Sequence, residues 1–206
     1  MIPNRVFRFW LYDDSPIPEI REIQGSENIL ITRQNCEIPD EYAKGLFDAR
    51  DKKFHDYIQF WYLHKYGGVY VDCDVVQLKP LADLLDNRFF AGRQGAEDDP
   101  IPVFRMVCTA VVGCEPGHPL ALACMKQMRE MNPAANLVEY SMGTLNELIN
   151  QYPVTIYPKR YFYPFSWVEE PPTEFGEDTY LVHLWAGSWV DPDVPFDDCF
   201  KKMPGY

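Results

Sequence analysis

Two consecutive glycines, Gly67 and Gly68, divide a helical pattern from a strand pattern, and this break constrains the chain more than any other stretch. Ahead of it, Phe54, Tyr57, Ile58, Trp61 and Tyr62 recur at helical spacing and predict one face laid on a core. Glycine readily takes the left-handed conformation that closes a helix. Behind the break, Val69, Tyr70 and Val71 are β-branched or aromatic and predict a short buried strand that delivers Asp72 and Asp74 at its carboxyl end. Open α/β sheets bind ligands outside the carboxyl ends of their strands, so two acidic side chains at a strand exit stand where a ligand would be met. In an extended chain the i, i+2 spacing sets both carboxylates on one side, with Val71 and Cys73 on the other.

Like charges this close repel unless a cation lies between or beside them. Hard oxygen donors favour magnesium, manganese or calcium over zinc, and the first two usually hold phosphate oxygens as well. The plainer reading, a solvated strand end with two acidic residues, stays open at this point because Asp-x-Asp is short and common.

The chain of 206 residues is expected to form one domain, 1–206, long enough for a sizeable core. A formal charge of −12 argues against a broad basic surface for nucleic acid or anionic membrane, and would repel a phosphorylated substrate unless a metal offset it locally. Aromatic residues reach 15%, above the ordinary level, and most are expected in the core. The six cysteines form no C-x-x-C pair, the start MIPNRVFRFW lacks the apolar core of a signal peptide, and no stretch approaches ~18 apolar residues. These features predict a reduced, cytoplasmic protein without a transmembrane segment.

Taken in order, the chain predicts a strand over 6–12 that ends in a turn at Asp13, Asp14, Ser15 and Pro16, then a second strand over 29–32 and a short helix near 42–47. After the central stretch, Pro80 suits the first turn of a helix through Leu81, Leu84 and Leu85. Strands are expected at 87–92, 103–113, 154–157 and 180–184, a loop at 93–102, a helix opened by Gly117, His118 and Pro119 and ending before Asn132, and a helix from Thr144 to Gln151. The 103–113 stretch reads as a strand pair or as one bent strand. Alternating strands and helices predict an α/β protein.

Three blocks together carry a resemblance: IPNRVFRFW at the start, YGGVYVDCDVVQLKPLADLL in the centre and HLWAGSW near the end. In that order they resemble the retaining glycosyltransferase family described as a sugar-binding region containing the DXD motif, with its fungal initiating α-1,6-mannosyltransferases and bacterial capsular polysaccharide transferases. They are more distantly similar to the glucosylating domain of the large clostridial toxins. The resemblance implies a single GT-A type domain with a mixed, mostly parallel central sheet flanked by helices. It further implies a nucleotide-sugar donor, UDP-sugar ahead of GDP-sugar, a glycan acceptor, a divalent cation, manganese with magnesium as the alternative, and a monomer. By the same resemblance Asp74, Asp72 and His183 hold the metal, and Asp72, Asp74 and Asp56 are the catalytic set. Trp10 stacks near the nucleobase and Asp56 holds donor hydroxyls. Tyr70 precedes the motif, while Ser188 and Trp189 close over the diphosphate. Gln59 stands in the donor site where the family carries arginine, so a charged, bidentate fork is replaced by a neutral amide.

The implied reaction is transfer of a hexose from a nucleotide diphosphate sugar to a glycan hydroxyl with retention. No carboxylate is legible as a covalent nucleophile, which leaves front-face departure and attack. A catalytically silent nucleotide-sugar or glycan-binding module is the alternative that the missing arginine raises. An Asp-x-Asp phosphotransferase would want a downstream Gly-Asp pair, and the chain contains none. An EF-hand loop lacks its glycine and glutamate here.

Overall fold

A computed structural model describes residues 1–11 and 20–186. The strands and helices follow in the order β1 (Arg5–Trp10), β2 (Glu27–Thr32), α1 (Glu41–Asp48), α2 (Lys53–Tyr66), β3 (Gly68–Val71), β4 (Val75–Gln77), β5 (Phe89–Arg93), β6 (Val107–Cys114), α3 (Pro119–Glu130), α4 (Thr144–Leu148), β7 (Thr155–Tyr157) and β8 (Leu181–His183). Six strands form one sheet in the order β2-β1-β3-β6-β5-β7, and β4 pairs with β8 in a separate two-stranded sheet. β1 is parallel to both β2 and β3, β5 is parallel to β7, and β6 runs antiparallel to β3 and β5. This is the mixed α/β architecture the alternation of elements predicts.

Side chains that alternate along each strand divide the interior into two layers. Phe7, Phe9, Tyr70, Val112 and Phe89 face the four helices, where Tyr57, Ile58, Phe60, Leu63, Met125 and Leu145 meet them. Val6, Val69, Val71, Val111 and Phe90 face the other way, onto Val75, Leu81, Leu84, Phe162, Tyr163 and Leu181. The small sheet therefore lies against the face of the large one that the helices leave uncovered.

Local chemistry accounts for the element ends. Asp40 caps α1 by accepting the Ala43 N–H at 2.9 Å. His118 plays the same part for α3 ahead of Pro119, which stands where its missing N–H costs nothing. α2 ends when the Gly67 N–H donates to the Leu63 carbonyl at 2.9 Å. Gly67 and Gly68 then adopt φ of 63° and 122°, so the chain turns out of the helix and into β3 without a linker.

One expectation changes and two are sharpened. The helix through Leu81, Leu84 and Leu85 is a single tight turn, Ala82–Leu84, because Asn87 takes the Leu84 carbonyl at 2.8 Å and β5 begins two residues later. The 103–113 stretch is one strand, β6, preceded by a 3₁₀ turn at Pro102–Arg105. α4 begins from a π turn at Glu139–Gly143 and finishes as a 3₁₀ turn at Ile149–Gln151. The turn expected at residues 13–16 lies outside the described residues. Cys36, Cys73, Cys108, Cys114 and Cys124 are free thiols, and no described helix is long and apolar enough to cross a membrane.

Glycine at position 68 is required on two counts, its φ and its neighbours. A Cβ there would stand 2.6 Å from Arg5 Cγ and 2.9 Å from the Arg5 carbonyl oxygen. Gly68→Ala is expected to lower stability by roughly 1–3 kcal/mol. Gly45, inside α1 with nothing within 4 Å of such a Cβ, gives the opposite sign, a gain of about 0.5–1 kcal/mol in Gly45→Ala. Denaturant unfolding of the two variants checks both.

Candidate functional site

β3 hands the chain to the site through one further ladder bond, from the Asp72 N–H to the Ala110 carbonyl at 2.9 Å. The chain then folds back, and the Val75 N–H donates to the Asp72 carbonyl at 3.2 Å. Asp72 and Asp74 thus flank a tight turn, where the sequence spacing predicts an extended run. Cys73 points inward from the turn, its thiol 3.4 Å from the Phe9 carbonyl. β4 leaves in a new direction and pairs with β8 so that Val75 stands opposite His183. The Leu184 N–H donates to the Asp74 carbonyl at 3.0 Å and extends this pairing by one step.

The result is a cluster from two distant parts of the chain. His183 Nε2 lies 3.1 Å from Asp74 Oδ1 and 3.6 Å from Asp72 Oδ2. The other Asp74 oxygen, Oδ2, accepts the Ala186 N–H at 2.7 Å. Asp72 Oδ1 accepts the Tyr70 hydroxyl at 2.5 Å. One donor atom each from Asp72, Asp74 and His183 lies within 4.8 Å of the others. Two carboxylates and an imidazole at this spacing suit a divalent cation that accepts oxygen and nitrogen ligands, such as manganese or magnesium. The His183 ring is flanked by Trp185, 4.2 Å between centroids, and Tyr163, 6.0 Å.

Electrostatics separates the two aspartates. Burial pushes Asp72 up to about 6, with His183 opposing the shift and Asp74 adding to it. Burial acts on Asp74 in the same sense, but His183 and the Ala186 N–H outweigh it and hold that carboxyl below its ordinary value. Asp74 is thus the better anion of the pair.

Asp56 comes from the first turn of α2. Burial, and then the charge of Asp72, raise it to about 8, and a hydrogen bond from Ser141 works against the rise. Ser141 belongs to the π turn before α4, and its hydroxyl lies 3.1 Å from that of Thr109 in β6. Gln59, one helical turn beyond Asp56, is 1% exposed, and its amide donates to the Thr109 carbonyl at 2.9 Å. Trp10 ends β1 with 7% of its surface exposed. Tyr70 is buried and stacked on Phe9 at 5.4 Å. The structure therefore brings Asp56, Tyr70, Asp72, Asp74 and His183 to one end of the sheet and places Gln59 behind them. Ser188 and Trp189 lie outside the described residues.

Arg8 and Ser141 are residues that sequence reasoning missed, while Thr109 was marked there only as a small residue that leaves room for a ligand. Arg8 is 3% exposed in β1 and reaches the Val75 carbonyl, just after the turn, at 3.4 Å. A cation inside the apolar run VFRFW was its signal. Ser141 had none, since a π turn leaves no periodic trace. A separate cavity of about 610 Å³ opens beyond the ends of β5 and β7, lined in part by Arg93, Lys159, Arg160 and Phe175. It contains none of the clustered side chains.

Residues 37–91 match the family described as "Glycosyltransferase sugar-binding region containing DXD motif", and Asp72 and Asp74 fall inside that span. The chain is 24% identical over 220 residues to "Uncharacterized glycosyltransferase L373" of Acanthamoeba polyphaga mimivirus, an alignment covering 92% of this chain and 84% of the viral protein. Its fold is similar to that of "PaToxG Glycosyltransferase", with a TM-score of 0.52 and 10% identity over 73% of this chain and 69% of that one. The central block thus matches a DXD-type sugar-binding region, and the fold is similar to that of a glycosyltransferase.

The raised Asp56 value sets a pH dependence. Between about 4, the ordinary aspartate value, and about 8, the folded chain keeps a proton that the unfolded chain releases. Rising pH therefore favours unfolding across this window. In metal-free buffer the melting temperature is expected to fall from pH 5 to pH 8, and Asp56→Asn to flatten that fall. Thermal melts at several pH values read it directly.

Proposed function

We propose that this chain is a divalent-metal-dependent retaining glycosyltransferase that moves a hexose from a nucleotide diphosphate sugar, UDP-linked ahead of GDP-linked, to a glycan hydroxyl. The observation that carries the reading is the convergence of Asp72, Asp74 and His183 within 4.8 Å inside and opposite the matched sugar-binding region. These three residues would hold the cation, manganese ahead of magnesium. When bound, it supplies positive charge to the departing diphosphate.

The protein groups have separable parts. Asp74, kept ionised, offers the stronger anionic ligand, and the Ala186 N–H fixes its free oxygen. Asp72, aimed by the Tyr70 hydroxyl, lies between Asp74 and Asp56 and serves the ribose or the sugar. Asp56, shifted toward its neutral form, can donate as well as accept a hydrogen bond to sugar hydroxyls. No arginine stands at position 59 to hold that carboxyl charged, which accords with its raised value. Trp10 is assigned to the base, and Ser188 and Trp189 to the diphosphate.

In the transfer, the bond between the anomeric carbon and the diphosphate oxygen breaks. The acceptor oxygen bonds that carbon on the face the diphosphate leaves, and the acceptor proton passes to the departing diphosphate oxygen. Retention follows from attack and departure on one face. We place this activity in a single-domain monomer, and the free thiols among the described residues suit a reducing, cytoplasmic setting.

Manganese at 100 times its Kd is expected to stabilise the fold by about 2.7 kcal/mol, and Asp74→Ala and His183→Ala to abolish that gain in a thermal-shift assay. With manganese and a panel of UDP- and GDP-sugars, slow nucleoside diphosphate release is expected from the unaltered protein. Asp74→Ala should reduce it by about 10²–10³-fold, the scale of losing one positioned electrostatic group. Binding of metal and donor without hydrolysis or transfer would make the chain a silent binding module.

A further inference from the structure

Half of one indole stands in solvent beside the site. Trp167 is 49% exposed, and so are its neighbour Val168, at 63%, and Ile101, at 45%. Its ring is nonetheless tied to the cluster by contact: Trp167 lies 5.1 Å from Trp185, and Trp185 lies 4.2 Å from His183. On another side it meets Phe104 at 4.5 Å. Both neighbours approach at steep angles, 70° for Trp185 and 59° for Phe104. Neither lies parallel to the indole, and about half of its surface stays open to solvent.

The turn that carries Trp167 is held in place. The Ser166 N–H donates to a Glu169 carboxylate oxygen at 2.6 Å, and the Glu169 N–H returns to the Ser166 carbonyl at 3.1 Å. Lys159 donates to both oxygens of the same carboxylate at 2.6 and 2.9 Å. The Trp185 indole N–H donates to the Phe165 carbonyl at 2.7 Å, just ahead of the turn. An exposed aromatic ring on a turn closed in this way pays little conformational entropy on binding.

We propose that Trp167 is a stacking platform for a pyranose ring of the acceptor glycan, set two ring contacts from His183 through Trp185. The assignment rests on the transferase reading above. One face of a pyranose presents a patch of C–H bonds, apolar and slightly positive, and the face of an indole is large, apolar and negative. A neutral sugar can stack there and reach the cluster with its next residue. A charged ligand has less reason to choose this surface, because the nearby Lys159 is already paired with Glu169.

The test uses the intact protein and three neutral probes, maltotriose, chitotriose and α-mannotriose, followed by saturation-transfer NMR. At least one is expected to bind, with its Kd raised about 3- to 10-fold in Trp167→Ala, the scale of one aromatic stacking contact, and largely restored in Trp167→Phe. A thermal melt checks that both variants are folded. Wild-type affinity in Trp167→Ala, no recovery in Trp167→Phe, or no binding by any of the three probes overturns the platform. Manganese-dependent donor hydrolysis by the unaltered protein is measured in parallel. Its absence counts against the transferase reading, whereas glycan binding that ignores Trp167 counts against the platform alone.

Discussion

The site depends on one strand pairing of three residues. Val75 stands opposite His183, and the ladder continues through Val76 and Gln77 to Leu181. Without it, His183 would be a histidine near the far end of the chain with no relation to Asp72 and Asp74. With it, the turn after β3 and the end of β8 are in register, and the Leu184 and Ala186 N–H groups both bond Asp74. A short ladder of this kind is weak by itself. Here it is buried, with Val75, Leu181 and Val182 at 0% exposure, so the second core layer holds the register and the register holds the site.

That arrangement concentrates acidic groups at one end of the sheet, with Asp74 buried and Asp56 and Asp72 partly exposed. Asp56 and Asp72 are both pushed toward protonation by burial, while Asp74 is kept charged by His183 and a backbone N–H. Concentrated negative potential of this kind is what a cation would neutralise. The polar row behind it, from Ser141 and Thr109 to Gln59, satisfies itself inside the protein. Gln59 thus fits a position walled off from solvent, where an unpaired arginine would be costly.

Much of this was legible in the residues. The α/β class, α2, the glycine break and β3 follow from periodicity and from the restricted set of residues that can leave a helix at positive φ, whereas the two aspartates gained their weight only from the resemblance of the three blocks to a known family. The tight turn at 72–75 was not legible, because Asp-Cys-Asp satisfies an extended run and a turn equally well. Nor was the helix expected after Pro80 tenable, since its length was set by where β5 had to start. Arg8 left a visible mark as a cation in an apolar strand and Thr109 as a small residue in one, whereas Ser141 became interesting only through what lies beside it.

By itself, then, the sequence determined that a helix stops at Gly67 and that a buried strand follows and ends in two carboxylates, because these outcomes depend on neighbours along the chain. Only the tertiary structure decided how His183, which the resemblance alone had joined to them, reaches the two aspartates, that Gln59 is spent on Thr109, and that Trp167 stands half in solvent beside Trp185. Those outcomes depend on contacts between residues tens of positions apart, and no local preference encodes them. The double glycine makes the exit from α2 obligatory, and the packing of two core layers determines what the exit leads to.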